Sequence, residues 1–444
     1  MNKKPLLILH GWSGTSEHLR KLSSFLKSTK KFKVVDIWLS DYLSMNDEIT
    51  IQDLGQAMGR AIKDNRIPQR RHSFDIIVHS TGGLVVRQYL IHYFFGRPQD
   101  CPIRHLVMLA PANFGSPLAH IGKSMLGRLC LGWNWNHFWQ TGTRILEALE
   151  LASPISWRMA ELDLFNPENK IFTPEHIFTT ILMGTDAYSG LGGILHENGS
   201  DGTVRVSTAN LNASYIKLIF TLPKGYKVEK QEQCYEPIAF GVLYNHNHGS
   251  IIRPKKNDEQ FNDLLIRSLT IRTSAEYKKH INYLRQVTEE TFKKGTNDKD
   301  EKKSKRYHQY QHVVTRVHDQ FGEEIEDYFL EFFQDKGDRT DKVMRKVHSE
   351  ILEKVHNYTK DKSYRSFLFD VTDMKKEILE KGRRVDMSLC AAALSKRISY
   401  HDPEDCITVV SPENKLLLNP NTTLLVDIEL PRIQHKKVFR FKRS

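Results

Sequence analysis

Three short, continuous apolar runs organise the first part of the chain: "PLLILH" at 5–10, "FDIIVH" at 74–79 and "RHLVMLA" at 104–110. Runs of this kind, with no polar alternation, are expected of strands buried on both faces of a parallel sheet. Between them lie stretches with helical spacing: "SEHLRKLSSFLKS", with Leu19, Leu22 and Phe25 on one face, then "IQDLGQAMGRAIK" and "GGLVVRQYLIHYFF". Strand and helix alternate, which predicts a doubly wound, mostly parallel α/β domain whose ligands bind beyond the carboxyl ends of the strands.

After "APANFGSPLAH" the alternation lapses into an insertion at about residues 119–170, and then resumes with "HIFTTILMG" as a strand. A glycine-rich loop leads to "NGSDGTVRVSTANL". Two further strands follow, at "YIKLIFTL" and "FGVLYNHNHGS", then helices over "DEQFNDLLIRSL" and from Ala275 to Phe292. The charged stretch "KKGTNDKDEKKSKR", residues 293–306, reads as a flexible linker. Beyond Tyr307 the texture changes to alternating runs such as "HVVTRVHD", "SYRSFLFDV", "CITVVS" and "TTLLVDIELP", interrupted by one amphipathic helix near "KVMRKVHSEILEKVHNY". The expected organisation is therefore an α/β domain over 1–292, a linker over 293–306 and a β-rich, sandwich-like accessory domain over 307–444.

Composition narrows the classes. With 39% hydrophobic and 27% charged residues in 444, the chain reads as globular, and no apolar run approaches the ~20 residues that span a bilayer. The N-terminal "MNKKPLLILHGW" is broken by His10 and Gly11 before it reaches signal-peptide length, so the expected location is cytoplasmic, or outside by a route that reads no such signal. Five scattered cysteines without C-x-x-C spacing read as thiols. A net charge of +12 favours contact with an anionic membrane surface, although the lysines are spread along the chain as on an ordinary solvated surface. No nucleic-acid module, zinc spacing, H-E-x-x-H or phosphate loop is present, so neither nucleic acid, metal nor cofactor is expected.

The candidate chemistry centres on "DIIVHSTGGLVVR". Ser80 follows a buried strand directly and precedes a helix, the context of the G-x-S-x-G nucleophile elbow, but Val78 stands where the first glycine should be. In such a turn the side chains two before and two after the serine face each other, and Gly82 leaves the valine room. A serine needs a base, an acid that orients the base, and N–H donors for the oxyanion. The N–H groups of Trp12, in "ILHGWSG", and of Thr81 are the candidate donors. Two aspartates compete for the acid: Asp201, in a tight Gly-rich loop, is preferred, and Asp186 is the alternative. For the base, "LYNHNHGSII" offers His246 and His248, of which His248 is preferred; His79 is expected to point away from the site. The order Ser80, Asp201, His248 is the chain order of the α/β-hydrolase triad.

Taken together, "LLILHGWSG", "VHSTGGLVVR", "LVMLAPANFGSPLA", "SDGTVRVSTANL" and "NHGSI" resemble the lipase branch of the α/β-hydrolase superfamily, in particular bacterial serine lipases and lecithin:cholesterol acyltransferase-like enzymes. The resemblance covers about Pro5 to Ser268. It implies Ser80 as nucleophile, Asp201 as acid and His248 as base, with Trp12 and Thr81 as oxyanion donors, and hydrolysis of carboxylic esters of lipids. Acyl transfer with the same triad and a catalytically silent binding module remain the alternatives. The insertion carries Trp133, Trp135, Trp139 and Trp157, four of the six tryptophans, beside Phe138; Trp133, Trp135, Phe138 and Trp139 are the candidate lid and substrate-binding residues.

Overall fold

A computed structural model describes residues 3–10, 16–39, 47–119, 142–186, 197–231, 233, 236–334, 341–393, 398–400 and 406–435. The chain divides into two compact units. The first comprises Met1–Asn212 and Gln233–His308, the second Ala213–Glu232 and Gln309–Ser444.

In chain order the first unit contributes β1 (Pro5–His10), α1 (Ser16–Ser28), β2 (Lys33–Trp38), α2 (Ile51–Asp64), β3 (Phe74–His79), α3 (Gly82–Phe94), β4 (Ile103–Leu109) and β5 (Phe178–Gly184). The chain then leaves for the second unit as the hairpin β6 (Ser214–Phe220) and β7 (Tyr226–Gln231), and returns as β8 (Ala239–Leu243). Strands β2-β1-β3-β4-β5-β8 form one sheet in that order, and every pairing in it is parallel. The three apolar runs that open the sequence are β1, β3 and β4, and their middle residues Leu7, Ile76, Ile77, Leu106 and Val107 are fully buried, as helices on both faces require.

Three expectations change. "YIKLIFTL" is a strand, but of the second unit: β6 pairs parallel with β16 (Thr423–Leu430) in register Ile216 to Val426. Its burial alternates, with Ile216, Leu218 and Phe220 inside and Lys217 half out, which is the pattern of a half-exposed strand and unlike the continuous runs of the first sheet. Residues 293–306 are not an open linker. The helix Ser274–Thr296 runs on through Gly295, whose bare Cα lies against the Tyr307 ring, and Asp300 caps a further short helix, Glu301–Arg306. The amphipathic stretch from Lys342 is helical only to Ile351 and continues as an edge strand, β11 (Leu352–Asn357).

The second unit is a sandwich. β9 (Tyr310–Asp319), β11, β12 (Tyr364–Asp370), β16, β6 and β7 make a six-stranded sheet, and β10 (Tyr328–Phe333), β13 (Val385–Ala391) and β15 (Ile407–Val410) make a three-stranded antiparallel one, while the short β14 (Ile398–Tyr400) pairs with Arg432–Gln434. Val313, Val426 and Phe367 from the first and Leu330, Met387 and Val409 from the second share one apolar core.

Candidate active site

Ser80 stands at the carboxyl end of β3 with φ of 54°, a left-handed conformation that costs a non-glycine residue about 1–3 kcal/mol. The turn is fastened on three sides. The Ser80 N–H donates to Leu109 O at 3.2 Å, and its carbonyl accepts from Gly83 N at 3.0 Å and Ala112 N at 3.2 Å. A Cβ on Gly83 would meet Pro111 Cβ at 2.7 Å, so the start of α3 sits against the loop after β4. Val78 does face Gly82: a Cβ there would lie 3.1 Å from Val78 Cβ. Gly82→Val is therefore expected to overpack the elbow, at about 1–3 kcal/mol, whereas Val78→Gly leaves the turn intact. Because Val78 is itself fully buried, ester turnover rather than stability checks the turn: Val78→Gly is expected to keep activity and Gly82→Val to lose it, and the reverse pattern contradicts the reading.

The structure brings Ser80, His248 and Asp201 together. His248 Nε2 is 3.0 Å from Ser80 Oγ, and His248 Nδ1 is 2.9 Å from Asp201 Oδ2. Asp201 is fully buried, and its second oxygen accepts the N–H groups of Thr203 (3.0 Å) and Val204 (2.8 Å), which orients the carboxylate. The loop that carries it is closed by a bidentate pair between Arg205 and Glu197, at 2.6 and 2.8 Å, and by Gly202 at φ of 91°. The loops that carry Asp201 and His248 are also joined directly, the His248 N–H donating to Asp201 O at 3.0 Å.

The competing candidates are accounted for elsewhere. The Asp186 carboxylate accepts from the Tyr307 hydroxyl and its N–H donates to His246 O at 2.8 Å, so it is engaged away from His248. His246 pairs with Asp258 at 3.1 Å and packs on Phe261; burial pushes its pKa down, against the pull of Asp258. His79 does not point away: its Nε2 lies 3.1 Å from His248 O and its ring packs on that of His248. Thr81 is the residue between Ser80 and α3, at the N-cap, so its N–H lies at the positive end of the helix. Trp12, Trp133, Trp135, Phe138 and Trp139 lie outside the described residues. Trp157 is buried and donates to Glu161 at 2.9 Å, a core position.

No protein-family model matches the sequence, and no curated protein matches it. Solved structures do. Phospholipase PlaB from Legionella pneumophila superposes with a TM-score of 0.83 at 24% identity, covering 100% of this chain and 97% of that one. The chain shares that fold, and its parallel sheet has the architecture of an α/β-hydrolase. PlaB in complex with thio-NAD gives 0.81 at 25% identity, over 99% of this chain and 96% of that one. The mature lipase BlEst2 of Bacillus licheniformis, at 17% identity and a TM-score of 0.38, covers 59% of this chain and 92% of its own. In the hydrolase fold the strand, the sharp turn at the serine and the following helix are the parts that present a nucleophile above the sheet.

One buried group near the site went unread in the sequence. Arg87, in α3, is wholly enclosed; its Nε and Nη2 donate to the two oxygens of Asp163 at 2.8 and 2.9 Å, and its Nη1 donates to Asn113 O at 2.8 Å. Asn113 belongs to the loop whose Ala112 N–H holds the Ser80 carbonyl. An arginine inside the apolar run "GGLVVRQYL" was the available signal.

Proposed function

We propose that this protein is a serine hydrolase that cleaves carboxylic ester bonds of lipids. The observation that carries the reading is the unbroken series of contacts from Ser80 Oγ to His248 Nε2 (3.0 Å) and from His248 Nδ1 to Asp201 Oδ2 (2.9 Å), two of its three members buried. In this mechanism His248 takes the Ser80 proton as Oγ attacks the ester carbonyl. Asp201 keeps the proton of His248 on Nδ1 and stabilises the imidazolium that forms. The N–H groups of Thr81 and Trp12 receive the oxyanion. His248 then gives its proton to the leaving alcohol, and a water, activated by the same imidazole, releases the fatty acid from the acyl-enzyme.

Lipid esters are favoured over small polar ones by the tryptophan-rich insertion, and by full-length likeness to a protein named a phospholipase. The net charge of +12 suits peripheral contact with an anionic phospholipid surface; among the described residues no helix is long and apolar enough to cross a membrane. In this reading the unit made of Met1–Asn212 and Gln233–His308 holds the catalytic machinery, and the β-rich second unit serves as an accessory domain. A panel of phospholipids, acylglycerols and sterol esters, incubated with the wild type and with Ser80→Ala and analysed by mass spectrometry, tests it. Fatty acid release by the wild type alone is expected. Release that persists in Ser80→Ala, or no release from any lipid by folded wild type, contradicts it.

A further inference from the structure

The strand that carries the nucleophile and the strand that precedes the base are not neighbours. β4 and β5 lie between β3 and β8, so the loop after β8 has to cross the carboxyl ends of both before His248 reaches Ser80. The crossing is fixed at β5. There Asp186 N donates to His246 O at 2.8 Å, and a Cβ on Gly184 would come within 2.2 Å of that oxygen.

On the nucleophile's side the loop meets His79. Its Nε2 is 3.1 Å from the His248 carbonyl oxygen, and the two rings lie 4.6 Å apart between centroids, tilted by 44°. A carbonyl only accepts, so His79 Nε2 carries the hydrogen. His79 is bonded covalently to Ser80, so this contact and the Ser80 to His248 contact close a small ring of three residues.

The described contacts to His248 divide by origin. Its N–H and its Nδ1 are held by Asp201, on the acid's loop, which sets the tautomer and the tilt of the ring. Its carbonyl is held by His79, on the nucleophile's own strand. We propose that His79 is a positioning residue: its Nε2–H ties the backbone of His248 to the end of β3 and so sets the approach of the base to the Ser80 hydroxyl. The inference rests on the hydrolase reading given above. It predicts that losing the donor displaces the base while the fold and the substrate site remain.

His79→Phe keeps a ring against His248 and removes the donor; His79→Gln keeps an amide N–H within reach and removes the ring. In the full chain, with a p-nitrophenyl acyl ester, His79→Phe is expected to lower kcat by about 10- to 100-fold, with KM and melting temperature unchanged. Fluorophosphonate labelling of Ser80 should slow in step, and His79→Gln should recover most of both. Phe at the wild-type kcat overturns the assignment. So does equal loss in both variants, or a loss of kcat that comes with a collapsed melting temperature. A folded wild type that neither turns over an ester nor labels sinks the hydrolase reading itself, whereas wild-type turnover that Phe leaves unchanged sinks the role of His79 alone.

Discussion

Asp201→Asn is expected to lower ester turnover by roughly 10⁴-fold while leaving the protein folded. The asparagine is isosteric, and its carbonyl oxygen can keep the two N–H donors, Thr203 at 3.0 Å and Val204 at 2.8 Å, that hold the aspartate now. Its NH₂ group then faces His248 Nδ1, where Asp201 Oδ2 accepts at 2.9 Å. A donor there turns Nδ1 into an acceptor and moves the ring hydrogen to Nε2, which faces Ser80 Oγ at 3.0 Å. The imidazole then has no lone pair with which to take the serine proton. Steady-state kinetics beside a thermal melt check this. Wild-type turnover by a folded Asp201→Asn would return the role of acid to another residue.

The second large effect concerns stability. Arg87→Met is expected to cost about 3–5 kcal/mol, because it leaves the Asp163 carboxylate without its partner in a site from which both side chains exclude water entirely. Burial pushes the Asp163 carboxyl up, and the guanidinium opposes that push through its charge and its hydrogen bonds. With the arginine gone, the raised folded-state pKa makes the neutral acid the tolerated form. Protonation then relieves the variant at low pH, and its deficit grows as pH rises above the unfolded value of about 3.9. Replacing both partners, as Arg87→Met with Asp163→Leu, should recover much of the loss. Urea midpoints from pH 4 to 8 for the three proteins report all of this, and a single variant as stable as the parent at pH 7 contradicts it.

Much of the first unit is legible in one dimension because its strands are buried on both faces. A continuous apolar run followed by Ser-x-Gly-Gly leaves little choice about β3, the turn and α3. The ordering of Asp201 after Ser80, and of His248 after both, was legible for the same reason: each follows a strand of the same sheet. Pairing partners were not legible. β6 looks like one more strand of the first domain, and nothing local to "YIKLIFTL" says that it lies beside β16, some 200 residues further on, where Ile216 is opposite Val426. Residues 293–306 misled through composition. Lysines and aspartates suit a linker, but they suit a solvated helix equally well, and Asp300 at the start of one is a cap. The expectation for His79 fails because its place just before the serine in the turn says nothing about a loop arriving from β8 across two strands.

The central claim is that Ser80 is an activated nucleophile. Intact mass measurement after incubation with a fluorophosphonate tests it most directly, because the adduct forms only on a serine that a base has activated. The account predicts one phosphonyl adduct on the wild type, mapped to Ser80 by peptide sequencing, and none on Ser80→Ala. A folded wild type that gains no mass, or a Ser80→Ala that gains the same mass, would contradict it.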